Sequence, residues 1–463
     1  MTQQSTALTR DQEKFAERRG LRKVGAASLI GTTIEYYDFF VYGTAAALVF
    51  PAVFFPSTSP AVGTIASFAT FGVAFFARPV GSILFGHFGD NIGRKRTLVW
   101  TLLIMGLSTV AIGFFPGYET GVFGVFENGI GIWAPIILVG MRFLQGLAMG
   151  GEWAGATLLA AEYAPKGQRG RMAVYPQLGP ACAFFLASGT FFVASITIGA
   201  TSETFLSYGW RLPFIASMLL VMVGLWIRLS IEETPVFKAH LANKELATEE
   251  TQSAPEKLPF AEAIRVQWKQ ILLASLAMST VFSMFYTGST FLTSYGTGKL
   301  EFTRTMILGF GMIAAVVLGV VTAAACILSD KVGRKKVIAC AYGAAVIWSL
   351  LLFPLLDTGS PIAFLIGVTV TLCIYGVANG PAGALLPEMF KSRFRYTGAG
   401  LSYNLGGIIG GAVPPILAAQ IVATSSSIWV GVLLAGLAAV SLVCVLALPE
   451  TKDNDLEDED VTS

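Results

Sequence analysis

The chain has 463 residues, of which 54% are hydrophobic and only 13% charged, with a mean hydropathy of +0.67. A soluble globular chain carries roughly 25% charged residues, so this composition excludes an ordinary soluble fold and points to a polytopic membrane protein. The formal net charge of +2 does not argue for nucleic acid, because the charges are segregated along the chain.

The opening stretch "DQEKFAERRGLRK" is polar, and the apolar run after it lacks a small-residue cleavage site. Residues 1–23 therefore read as a retained cytoplasmic segment rather than a cleaved signal. A membrane span needs roughly 20 mostly apolar residues, and about twelve such segments follow. They start near Val24, Val62, Thr97, Gly131, Met172, Gly209, Lys269, Thr303, Val337, Pro361, Tyr396 and Ser427. The expected fold is an all-α bundle of twelve transmembrane helices. Gly and other small residues are frequent in the spans, as close helix packing in lipid favours. The five cysteines are scattered singly, with no metal-ligand or disulfide spacing, and read as small packing residues.

Short loops rich in Lys and Arg set orientation. Basic residues precede the first span (Arg18, Arg19, Arg22, Lys23) and follow the second (Arg94, Lys95, Arg96), fourth (Lys166, Arg169, Arg171), eighth (Lys331, Arg334, Lys335, Lys336) and tenth (Lys391, Arg393, Arg395). The alternate loops are poor in them; Arg211, Lys299 and Arg304 are isolated exceptions. Both termini are thus expected in the cytoplasm. The polar stretch containing "HLANKELATEETQSAPEK" cannot build a packed core, and residues 232–268 read as a cytoplasmic linker. It joins an N-terminal half, 24–231, to a C-terminal half, 269–448; residues 449–463 form an acidic tail. The halves repeat landmarks in the same order. "GHFGDNIGRKR" is answered by "CILSDKVGRKK", "EYAPKGQRGR" by "EMFKSRFR", and "EETP" by "PETK". Transporters are commonly built from such repeats, with substrate near the midplane between them.

"GTTIEYYDFFVYG" places two acids inside the first span. At 1.5 Å per residue, Glu35 lies roughly 16 Å and Asp38 roughly 21 Å from the span's start, near the middle of a ~30 Å core. They are i and i+3 and share a face, with Tyr42 one turn on. Intramembrane acids cost roughly 2.5 kcal/mol or more each and should face a cavity or the bundle interior. Arg78 in span two and the stripe Arg142, Gln145, Met149, Glu152 in span four are the expected partners. Glu35, Asp38, Arg78, Arg142 and Glu152 then form one cluster of three acids and two bases. A nearby Arg favours the ionised carboxylate, and a substrate anion competing for that Arg releases the acid to take a proton. Asp38, Glu35 and Glu152 are the proton-coupling candidates, while Arg142, Arg78, Gln145 and Tyr42 are the substrate candidates. A purely structural ion-pair network is the alternative, and Glu152 could serve a cytoplasmic-side relay. The C-terminal half offers Tyr286, Tyr375, Asn379, Tyr403 and Asn404 as hydrogen-bonding groups opposite the charges.

The loop Gly86, Asp90, Gly93, Arg94, Lys95 matches the signature Gly-x-x-x-Asp-x-x-Gly-Arg-Lys/Arg of the major facilitator superfamily, and the chain resembles that superfamily along its whole length. Asp330, Gly333, Arg334 and Lys335 form a second copy that lacks the leading Gly. "IEYYDFFVYG", "FARPVGSILFGHFGD" and "RFLQGLAMGGEWAGA" resemble its metabolite:proton symporter branch. Within that branch the pattern is closer to organic-acid carriers of the shikimate type than to osmosensory proline/betaine carriers, which often carry a long C-terminal coiled coil. The resemblance implies a cytoplasmic clasp made from Asp90, Gly93, Arg94, Glu162, Arg169, Asp330, Gly333, Arg334 and Glu388.

The expectation is proton-coupled uptake of a small carboxylate metabolite across the plasma membrane. A zwitterion such as proline or betaine is the alternative cargo, and a non-transporting sensor the alternative class. His87 and His240 are far apart, and neither a metal-ligand cluster nor a nucleotide-binding loop is present. No catalytic residues, metal or organic cofactor are therefore expected, only protons as coupling ion. The expected partners are a small substrate and the bilayer, not nucleic acid, with a monomer as the working unit.

Overall fold

A computed structural model of the chain describes residues 2–92, 94–122, 126–150, 152, 157–158, 164, 167–199, 203–230, 259–391 and 394–452; side chains before Gly25 and those of 87, 89–95, 126, 127, 230, 259–261 and 263 lie outside the description. Helix α1 (Thr2–Leu48) continues from the polar N-terminal segment into the first span. It is followed by α2 (Phe50–Phe54), α3 (Pro60–Ile92) and α4 (Arg94–Phe114). A short antiparallel hairpin, β1 (Thr120–Val122) with β2 (Phe126–Asn128), pairs Thr120 with Asn128 and Val122 with Phe126. Then come α5 (Trp133–Met149), α6 (Arg169–Ile198), α7 (Glu203–Ser207) and α8 (Leu212–Ser230). The remaining helices are α9 (Pro259–Tyr286), α10 (Leu292–Gly298), α11 (Arg304–Val332), α12 (Arg334–Leu356), α13 (Pro361–Met389), α14 (Arg395–Gly407), α15 (Val413–Thr424) and α16 (Ile428–Ala447).

Among the described residues, ten helical segments are long and apolar enough to cross a bilayer. The other two expected spans are α1, which carries Glu35 and Asp38, and α5, whose 17 residues reach the lower limit for spanning. Span starts agree closely with the hydropathy reading except at α1, whose helix begins at Thr2 rather than near Val24, and at α9. That helix begins at Pro259 and breaks at Gln267 (φ −118°, ψ 25°), so the expected start at Lys269 marks the resumption of the helix after the break.

Neighbouring helices pack in a regular order. Helix α1 lies on α6, α3 on α5 and α4 on α8; α9 lies on α14, α11 on α13 and α12 on α16. Two further contacts, α6 with α11 and α3 with α15, join these groups. Glycine makes the α3–α5 contact direct: a Cβ added at Gly146 would lie 2.4 Å from the Ala74 carbonyl oxygen, and one at Gly150 2.0 Å from that of Arg78. Backbone thus meets backbone, and Arg78 and Arg142 are brought together. Two spans also change pitch. A π-helical turn, Thr287–Phe291, links α9 to α10, and another, Ile408–Ala412, links α14 to α15. Such turns are frequent at functional sites.

The bundle is inverted relative to a soluble protein. Large apolar side chains such as Trp226, Val320, Ile362 and Val443 are exposed on its flanks, while Asp38, Arg78 and Arg142 are buried. The three basic exceptions to the loop pattern are each engaged locally. Arg211 is buried and donates to the carbonyl oxygens of Ser207 (2.9 Å), Gly113 (3.3 Å), Phe115 and Gly121 (3.4 Å). Lys299 pairs with Asp357 at 3.1 Å, and the Arg304 guanidinium lies 5.2 Å from the Phe205 ring centre.

Candidate substrate and proton site

The expected cluster of five charges is present but divides into two layers. In the layer nearer the basic loops, Arg228 of α8 bridges two acids. Its Nη1 donates to Glu152 at 2.8 Å and its Nη2 to Glu35 at 3.4 Å. Glu152 also accepts from the Thr101 hydroxyl at 2.5 Å, and Arg228 Nη1 is anchored on the Leu98 carbonyl. The sequence reading paired Glu35 with Arg78 or Arg142; its ion-pair partner is Arg228. The reason is reach: Arg228 sits in the last turn of α8, and its long side chain extends along apolar surface toward the interior.

The second layer holds Asp38, Arg142 and Arg78. The Arg142 guanidinium lies over three rings, 3.9 Å from Phe39, 4.1 Å from Tyr42 and 4.8 Å from Phe71. Its Nη1 donates to Gln145 Oε1 at 2.9 Å, and Gln145 Nε2 donates to Thr109 at 2.8 Å. Arg78 also lies against the Phe39 ring, at 4.6 Å, and 4.5 Å from Phe75. Desolvated cation–π contacts are worth about 2 kcal/mol each; here they fix the cations while leaving N–H groups available. Arg142 Nη2, Arg78 Nε and both Asp38 carboxylate oxygens are buried without a hydrogen-bond partner. Buried polar atoms are ordinarily satisfied, so this concentration marks a site.

Opposite stands a polar wall from α9 and α13. The Tyr286 hydroxyl and both side-chain amide atoms of Asn379 are buried and unpartnered. Tyr375 stacks on Phe285 with ring centres 4.2 Å apart. Other expected substrate groups are already engaged: Tyr42 donates to Thr70 at 2.8 Å, and Asn404 to the Gly150 carbonyl at 3.2 Å. Gln177 donates to the Asn379 carbonyl at 2.5 Å, and Tyr36 and Tyr403 share a 2.5 Å hydrogen bond. All these groups are buried, so the central site is closed.

The expected gate residues on the second copy of the loop converge. Glu388 at the end of α13 accepts from Arg334 at 3.3 Å, from Arg169 of α6 at 3.5 Å, and from the Thr451 hydroxyl at 2.6 Å. Asp330 pairs with Arg334 at 2.8 Å. It also accepts from the backbone N–H groups of Gly170 (2.9 Å) and Arg171 (2.8 Å). Helix α6 has no side-chain cap from its own Gln168, so Asp330 of α11 supplies one. Gly170 permits this, since a Cβ there would lie 2.5 Å from the Cys326 carbonyl oxygen. At Gly333 the backbone turns with φ +111°, and Glu450 caps α12 through the N–H groups of Arg334 (2.8 Å) and Lys335 (3.2 Å). The side chains of Asp90 and Arg94, and Gly93 and Glu162, lie outside the described residues.

The sequence profile of the sugar (and other) transporter family matches residues 24–462. The chain belongs to this family of the major facilitator superfamily. It is 41% identical over 460 residues to the inner membrane metabolite transport protein YhjE of Escherichia coli (strain K12), covering 98% of this chain and 100% of that protein. The shikimate transporter of the same organism is 34% identical over 445 residues, 95% of this chain and 97% of that protein. Its proline/betaine transporter is 31% identical over 440 residues, 94% and 85% respectively. The fold resembles that of a D-xylose-proton symporter, with a TM-score of 0.71 at 17% identity, covering 93% of this chain and 99% of that one. This major facilitator is accordingly a multi-pass transporter of the plasma membrane.

Arg228, Thr101, Thr109 and the Phe39–Phe71–Phe75 box were not among the sequence candidates. The signal for Arg228 was available: a lone Arg in the apolar run "GLWIRLS". Glu450 and Thr451 were read only as part of a repeated landmark, and the contacts they make join residues far apart in sequence.

Proposed function

We propose that this transporter moves a small carboxylate-bearing metabolite inward together with a proton, by alternating access between six-helix halves 24–231 and 269–448 with both termini in the cytoplasm. The observation that carries this reading is the unpartnered N–H of Arg142 in the same closed chamber as an unpartnered Asp38. An anion on Arg142 removes the electrostatic support for ionised Asp38, which then takes the proton. Arg142 anchors the carboxylate, Asp38 carries the proton, and Tyr286 and Asn379 meet the cargo's polar groups. The duplicated-halves reading is supported by the matching order of helix contacts and by the repeated loops. The clasp of Asp330, Glu388, Arg334 and Arg169 holds the cytoplasmic side shut until the cargo is aboard.

A zwitterionic cargo is the second reading, favoured by the similarity to the proline/betaine transporter. Against it, Arg142 and Arg78 both lie against the Phe39 ring, at 3.9 and 4.6 Å, so an ammonium brought there meets two like charges. The test is uptake by proteoliposomes under an imposed pH gradient, with shikimate, other organic acids, proline and betaine as probes. Accumulation of a carboxylate by the wild type, with Asp38→Asn retaining exchange but losing accumulation, is the expected outcome. Gradient-independent uptake, or betaine as the sole cargo, would overturn it.

A further inference from the structure

Among the described residues, the central interior of the first half holds five buried charged groups and a sixth, Arg228, that is half-buried at its edge. Glu35 and Asp38 come from α1, Arg78 from α3, Arg142 from α5, Glu152 from just beyond α5, and Arg228 from α8. Helix α4 contributes only hydroxyls there, Thr101 and Thr109. Across the chamber the second half presents tyrosines and Asn379. Among the described residues its buried charges, Arg334, Glu388 and Arg395, lie at the ends of α12, α13 and α14 instead. The groups of the first half are mutually close: Arg78 and Arg142 share the Phe39 ring, and Arg228 holds both Glu35 and Glu152.

With every group ionised, three acids face three bases and the chamber is neutral. Without Arg228 the same chamber carries one negative charge. An uncompensated charge in a closed, low-dielectric space is expensive, so the closed carrier crosses in the states whose total is zero. Protonation of Asp38 leaves the chamber one positive charge in excess, and one monoanionic cargo restores neutrality. We infer that Arg228 is the charge-balancing residue of the carrier: bridging Glu35 and Glu152, it makes the empty chamber neutral, so that one proton admits one negative charge of cargo.

The inference rests on the carboxylate–proton reading above and specifies its stoichiometry. The cargo is a monocarboxylate, moved without net charge. The proton comes from the outer solution, resides on an Asp38 oxygen during the crossing, and leaves to the cytoplasm with the cargo. Arg228 touches neither cargo nor proton and acts through Glu35 and Glu152 as a positioning residue.

The test uses the full-length protein in proteoliposomes, with shikimate as first probe and then any other monocarboxylate that the wild type accumulates. Wild type should respond to a pH gradient, ignore an imposed membrane potential and produce no transport current. Glu152→Gln leaves the chamber positive without a proton. It should keep exchange, lose pH-driven accumulation by at least about tenfold, and become driven by membrane potential. Arg228→Gln leaves it negative, and apparent affinity should fall at neutral pH and recover on acidification. The double variant is neutral again and should recover pH-driven accumulation; Glu35→Gln with Arg228→Gln provides a second route to the same neutrality. Thermal unfolding midpoints confirm that each variant is folded. A structural ion pair would instead lower exchange and accumulation together in each single variant. That result, folded double variants no better than the worse single, or a wild-type current overturns the inference while leaving carboxylate uptake standing. A wild type that accumulates no carboxylate overturns both.

Discussion

Asp330→Asn tests the cytoplasmic clasp at the contact that joins α11 to α6. The carboxylate accepts two backbone N–H groups at 2.9 and 2.8 Å from the first turn of α6. An amide keeps one oxygen and turns a donor toward the other N–H. Losing one charge-assisted hydrogen bond costs about 1.5–3 kcal/mol. Losing the negative charge at a helix N-terminus costs about 0.3–1 kcal/mol more. The Asp330–Arg334 pair joins neighbouring residues of one loop and persists whether the clasp is open or shut, so it cancels. The closed state is therefore weakened by about 2–4 kcal/mol relative to the open one, and each 1.4 kcal/mol is tenfold in the ratio. Spin labels on the cytoplasmic ends of α6 and α11 report the two populations by their distance distribution. The open-to-closed ratio should rise by at least about tenfold. A folded variant whose distribution matches wild type would refute the capping argument.

Arg142→Lys keeps the charge but replaces a planar fork held on three rings by a point charge, and apparent affinity for a carboxylate should fall by about tenfold, measured by ligand-dependent thermal shift. Gly146→Ala forces α3 and α5 apart where an added Cβ would lie 2.4 Å from the Ala74 carbonyl oxygen; the expected loss is about 1–3 kcal/mol of stability, with uptake impaired because Arg78 and Arg142 no longer share Phe39. At the opposite end from the clasp, burial pushes the Asp357 carboxyl up, but hydrogen bonds from Ser427, Tyr295 and Lys299 together outweigh this and hold it below the usual carboxylate range. A depressed value means that its stabilisation is complete above about pH 4, the unfolded value, and is lost as pH falls further. Asp357→Asn should therefore lower thermal stability at pH 7 by under about 1 kcal/mol, given its partial exposure, and the difference from wild type should vanish on acidification to below the carboxylate range; a difference that grows there would contradict the assignment.

Hydropathy located nearly every span because twenty apolar residues in a row can do little else in a bilayer. Glu35, Asp38 and Arg142 were legible for the same reason: a charge in such a run must have a use or a partner. Which partner was not legible. Helical spacing relates residues of one helix and is silent on α8, so Arg228 was missed although its bridge divides the cluster into layers. The clasp was half legible. The loop signature named Asp330 and Arg334, and the repeated landmark "EMFKSRFR" named Glu388, but an acid that caps a backbone leaves no complementary charge in the sequence to find. The π-helical turns next to Tyr286 and after Gly407 depend on how α9 and α14 pack against their neighbours, which no local pattern encodes.

The cap on α6 is borrowed, and this has a practical use. Whenever the cytoplasmic side opens, the amides of Gly170 and Arg171 lose their acceptor and meet water; when it shuts, Asp330 covers them again. Their hydrogen–deuterium exchange therefore acts as a label-free clock of the transport cycle. Uptake rises with the number of openings, and the deuterium gained in the first turn of α6 should rise with it, without a probe attached anywhere on the carrier.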